Sequence, residues 1–135
     1  MSKTKRTAAY ALIAAIYITI SASAQESAIG QMHTALQQMQ SALVHLKKAR
    51  MTGALQAKSD NLEKAKELLL TASYDKGGYR DEAVTFTIQA AARVGEFQID
   101  KADQLIDRAI VKVKHAIQAI TQEVSAKEKS ASPGK

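Results

Sequence analysis

The sequence predicts an all-α protein, an up-down four-helix bundle whose first and last helices are longer than the middle two. Three observations predict it. Ile29, Met32, Leu36, Met39, Leu43 and Leu46 recur at alternating spacings of three and four, the seam of a helix that buries one stripe. Ile106, Ile110, Val113, Ile117, Ile120 and Val124 repeat the pattern near the other end of the chain. Between them, Asp75-Lys76-Gly77-Gly78-Tyr79-Arg80 is the strongest turn signal in the sequence.

The first 24 residues read as a cleavable secretory signal peptide. Lys3, Lys5 and Arg6 precede an apolar run of 13 residues, Ala8 to Ile20, and Ser21-Ala22-Ser23-Ala24 supplies the small residues a signal peptidase reads. A spanning helix needs about 20 apolar residues, so the run is too short for a permanent anchor. Cleavage is expected between Ala24 and Gln25, leaving one domain over 25–124 and no membrane span. The expected destination is the periplasm or the medium.

Helix 1 is expected from Glu26 to Arg50. Ala28, Ala35, Ala42 and Ala49 form a column beside its seam, where a neighbour can approach closely, and Lys47, Lys48 and Arg50 suit the negative end of the helix dipole. Gly53 is a plausible stop, with a loop to Lys58. Asp60-Asn61-Leu62-Glu63 resembles a capping box and is expected to start helix 2, which carries Leu62, Ala65, Leu69 and Ala72 on its apolar stripe and ends near Ser73. Two glycines inside a helix cost about 2 kcal/mol relative to alanine, so 75–80 is a turn. Helix 3 follows to Val94. Its Val84-Thr85-Phe86-Thr87-Ile88 segment has strand propensity, but no partner strand exists to satisfy its backbone. After a connection at 95–99, Asp100 is expected to cap helix 4. Ala102, Ala109 and Ala116 stand at the margin of its apolar face, and it ends near Val124. Ser125 to Lys135 reads as a disordered tail. The long helices should overhang the short ones. The overhang is frayed, covered by loops 51–59 and 95–99, or an apolar surface for a partner.

Charge and composition exclude several classes. The chain carries 19 basic and 13 acidic residues, a net charge of +6, but the signal segment and the tail hold most of the excess and 25–124 is close to neutral. Nucleic-acid binding, which wants basic residues clustered on a folded face, is not indicated. With no cysteine, disulfides, thiolate metal sites, c-type haem attachment and thiol catalysis are excluded. No Gly-x-Ser-x-Gly, His-Glu-x-x-His, Gly-x-Gly-x-x-Gly or P-loop string occurs, and no enzyme is predicted.

Four constellations merit weighing. Met32 and His115 occupy places suggestive of the axial ligands of a cytochrome b562-type haem bundle. On a helical wheel, however, His115 lies opposite the apolar face of helix 4, and Met32 falls in the core seam. The three histidines, His33, His45 and His115, lack the i, i+3 or i, i+4 spacing of a metal pair. Asp100, Asp103 and Asp107 line one side of helix 4. They read as a cap, a first-turn acid and a solvated residue rather than a cation stripe. No metal or cofactor is therefore predicted. The candidate interaction loop is Asp75, Lys76, Gly77, Gly78, Tyr79 and Arg80. Glycine amides with Arg80 could hold an anion at the start of helix 3, or the glycines simply permit the turn while tyrosines pack over the bundle end.

The Asp-Lys-Gly-Gly-Tyr-Arg loop between two Ala-rich amphipathic segments, followed by Leu105-Ile106-Asp107-Arg108-Ala109-Ile110, resembles a group of small exported bacterial helical proteins with an Asp-Lys-Gly-Gly-His-Arg-type loop. The likeness spans roughly Met32 to Ile117, with Tyr79 in place of the usual histidine. It implies an exported helical domain and no mechanism. The expected function is a non-enzymatic exported bundle with coiled-coil-like packing, acting as a binding or structural module for an unknown protein partner or as a homo-oligomer. The alternative is a cofactor- or small-molecule-binding bundle.

Overall fold

A computed structural model describes residues 28–130, and the expected signal segment, its expected cleavage junction at Ala24 and Gln25, and the end of the expected tail, 131–135, lie outside them. The chain divides into two units, Met1–Gly30 and Gln31–Lys135. The described part of the first, 28–30, is helical. In the second, α1 covers 31–51, α2 Leu55–Thr71, α3 Tyr79–Gly95 and α4 Ile99–Ser130, with no strand among the described residues. The Val84–Ile88 segment is helical throughout.

Contacts between helices set an antiparallel, up-down order. On α1 and α2, His45 hydrogen-bonds Asn61 and Gln38 Nε2 donates to Thr71 Oγ1 at 3.2 Å. On α3 and α4, Glu82 pairs with Lys112 at 2.7 Å. On α1 and α4, Arg50 meets Asp103 and Asp107 at one end, and His33 meets Glu128 at the other.

The core is built on alanine. Ala35, Ala42 and Ala49 on α1, Ala65 and Ala72 on or just after α2, Ala83 and Ala90 on α3, and Ala102, Ala109 and Ala116 on α4 are all buried. Each column alternates with larger residues, such as Met39 and Leu46 on α1, Leu62 and Leu69 on α2, and Ile106, Val113 and Ile120 on α4. The alanines expected at the margin of α4 therefore occupy the centre of its buried face, and Ile110 and Ile117 flank it. A methyl side chain lets two helix backbones come close, so small and large residues interdigitate at interior packing density.

Two boundaries, and the place of the overhang, differ from expectation. α2 begins at Leu55, one turn before Asp60, and the capping box is not used: Asp60 accepts from Gln56 Nε2 at 2.9 Å and Glu63 pairs with Lys66. The cause is Lys58, which sits seven residues before Ala65 in the buried column and draws the preceding turn into the helix. α4 continues past Val124 to Ser130, so 125–130 is helix where a tail is expected; Glu128 meets His33 and Ser130 Oγ donates to the Ala126 carbonyl. The overhang of α1 and α4 lies at the end opposite loops 52–54 and 96–98. Thr71 stands level with Gln38, and the 72–78 connection crosses there, burying Ala72 and carrying Lys76 to Glu123 on α4.

Candidate functional site

The 75–80 loop is built from two left-handed glycines and four side chains that bind back to the chain. Gly77 (φ +78°) and Gly78 (φ +74°) reverse the chain ahead of α3, in a region costly for residues with a Cβ. A Cβ on Gly77 would lie 2.9 Å from Tyr79 Cε2, whereas one on Gly78 meets open space. The Asp75 carboxylate accepts the Arg80 backbone N–H at 3.2 Å, occupying the position at the start of α3 that an external anion would take. The Arg80 guanidinium donates to the Ala72 carbonyl and to Asp81 Oδ1. Lys76 donates to Glu123. This hydrogen bond raises the Lys76 ammonium above its ordinary pKa and lowers Glu123 below the usual carboxylate value.

Tyr79 completes the clasp. Its ring meets the His115 ring edge-on at 5.4 Å between centroids, and Lys112 Nζ lies 5.9 Å from its centre. The loop thus ties the α2–α3 turn to α4 through Lys76–Glu123 and Tyr79–His115. Of the two expected readings, the geometry favours the turn over the anion site, because Arg80 and Asp75 already serve each other's neighbourhood.

His115 is exposed, as the helical wheel requires, and Met32 is buried in the core, so the two do not share an interior site fit to hold haem. His33, His45 and His115 go to three separate partners, Glu128, Asn61 and Tyr79. Among the described residues no three His, Asp or Glu side chains form a metal-binding group, and no helix is long and apolar enough to cross a membrane.

At the opposite end Arg50, Asp103 and Asp107 meet around a lysine that the sequence does not mark as buried. Lys58 is 1% exposed, and its ammonium donates to the Ala49 carbonyl at 2.8 Å and to Asp103 Oδ1 at 2.6 Å. Asp103 and Asp107 also receive Arg50, at 3.3 and 3.0 Å. One lysine thereby caps the last turn of α1 and joins α2 to α4, and Asp103 and Asp107 of the aspartate stripe are taken by the chain's own cations. A signal was available: 58, 65 and 72 form a heptad column, but lysine in that column reads as a solvated residue.

The same end holds the one non-glycine residue at positive φ among the described residues, Phe97 at +60°. Here α3 closes in a Schellman motif: Gln98 N–H donates to the Arg93 carbonyl at 2.9 Å and Phe97 N–H to the Val94 carbonyl at 3.0 Å. Gly95, the natural candidate for that role, is instead the last residue of the helix.

No protein-family model, curated protein or solved structure matches this chain. The fold itself defines the class, an all-α antiparallel helical bundle.

Proposed function

We propose that this chain is a small exported, non-enzymatic helical-bundle protein that works as a binding or structural module, through a partner or as a homo-oligomer. The observation that carries this reading is how its reactive side chains are used. Lys58, Arg50, Asp103 and Asp107 join three helices at one end, and Asp75, Lys76, Arg80 and Glu123 hold the α2–α3 turn at the other. Groups engaged in this way build a rigid scaffold rather than converge on a reacting atom. The signal-like first 24 residues and the resemblance to small exported helical proteins support export.

The test is purification from the native envelope, followed by an absorption spectrum, metal analysis and light scattering. The expected result is a featureless visible spectrum, no stoichiometric metal, and either a defined oligomer or a partner retained on the column. A Soret band, bound metal or a copurifying small molecule at one per chain would overturn it in favour of the cofactor-binding alternative.

A further inference from the structure

We infer that the end of the bundle formed by the 52–54 and 96–98 connections is a tip that seats in the interfacial region of a lipid bilayer, with Phe97, Met51 and Leu55 as the inserting side chains. This inference rests on the reading of the chain as a binding module and names what one of its surfaces meets.

Three observations carry it. First, Met51 and Phe97, 86% and 75% exposed, are the two most exposed large apolar side chains among the described residues, and both stand at this one end with Leu55, 38% exposed. Solitary exposed leucines and valines are ordinary, whereas these three stand on the ends of three different helices at one end of the bundle. Second, Phe97 is held in a left-handed backbone conformation that glycine would adopt without strain, and its ring recovers almost none of the cost by burial. Such an outlier argues from conformation to use: the strain keeps the ring projected off the end of α3. Third, among the described residues Lys47 and Lys48 near the end of α1 and Lys101 in the first turn of α4 make no ion pair, while Arg50, Lys58 and Arg93 at the same end are neutralised by Asp103, Asp107 and Glu96. Asp60 and Asp100 are the acids here outside any ion pair among the described residues, so the unpaired charges at the tip, three basic and two acidic, leave a net +1.

Protrusions from separate helix ends suit a deformable apolar phase, which demands no matching shape. A protein partner would favour a shaped groove, such as the one lined by Phe86, Arg108 and Val111 farther along the bundle. Aromatic, methionine and leucine side chains insert at headgroup depth, and lysine stems reach phosphates beside them.

The chain has no tryptophan, so Phe97→Trp gives a single reporter at the tip of the full-length protein. Leu70→Trp, at the far end of α2, serves as the control. Each variant is mixed with vesicles of phosphatidylglycerol and phosphatidylethanolamine. The expected result is a blue shift and several-fold weaker acrylamide quenching for Phe97→Trp, with Leu70→Trp unchanged even where the N-terminal segment holds the protein to the vesicle. No shift at position 97, an equal shift at both positions, or a vesicle-independent shift that grows with protein concentration would overturn the inference. The last outcome places a second copy on the tip and leaves the binding-module reading intact. In contrast, a copurifying cofactor removes that reading whatever the tip does.

Discussion

Lys58 and Phe97 each break a local rule, and both breaks have consequences. A lysine in a buried heptad column is tolerated because its ammonium finds both a carbonyl and a carboxylate, which offset the loss of water. Its position was hidden in the sequence because lysine is ordinarily a solvent residue, and the partners that allow its burial lie 9 and 45 positions away. Phe97 was hidden for the opposite reason. Gly95 offered a natural helix stop, and nothing in a single sequence shows that the left-handed residue comes two positions later. Phe97→Gly should raise the stability of the bundle by about 1 kcal/mol, since it removes the strain and little packing. Urea denaturation checks this, and a loss of stability would mean that the ring packs in solution.

At the scale of the elements, the stripes of α1, α2 and α4 were legible because a 3–4 spacing can be met only by a helix with one buried side. The turn at 75–80 was legible because adjacent glycines are costly inside a helix. What the spacing left undecided was which of two neighbouring columns lies at the centre. On α4, alanine and isoleucine columns both repeat every seven residues, and the close approach of the backbones puts the alanines inside. Ala109→Leu should therefore cost about 2 kcal/mol through overpacking, while Ile110→Leu at the flank should cost under about 1 kcal/mol. Thermal unfolding of the two variants compares them. In the turn, Gly77→Ala combines backbone strain with a clash against Tyr79 and should cost about 2 kcal/mol, against about 1 kcal/mol for Gly78→Ala, whose Cβ has room.

The clasp at the same turn has a pH signature. Glu123 is lowered in the folded state, so its contribution is present above its unfolded pKa and lost as pH falls through the lower folded value. Lys76 is raised, so its contribution is complete below its unfolded pKa and lost as pH rises through the higher folded value. The pair thus favours folding across neutral pH and fades in acid and strong alkali. Glu123→Gln should return the Lys76 titration, followed by NMR, toward the ordinary lysine value, and an unmoved titration would show that the pair does not form in solution.

For the whole molecule, the up-down order follows from four helices and short connections, and that much is legible in the sequence. Which side chains meet across the bundle could not, since it depends on helix rotation and on relative heights. Of the two readings the sequence left for the candidate loop, an anion site or a packed turn, the contacts of Asp75, Lys76 and Arg80 within the chain favour the turn. Polar side chains in this protein join its helices into one scaffold, and the Lys58–Asp103 contact is the most buried instance. A double-mutant cycle of Lys58→Met and Asp103→Asn, read by urea denaturation, tests it most directly. Asp103→Asn alone leaves a buried ammonium without its carboxylate and should cost about 3 kcal/mol, most of which disappears when Lys58→Met is also present, giving a coupling of about 2 kcal/mol. Additive effects, with a coupling below about 0.5 kcal/mol, would mean that Lys58 and Asp103 do not join the helices.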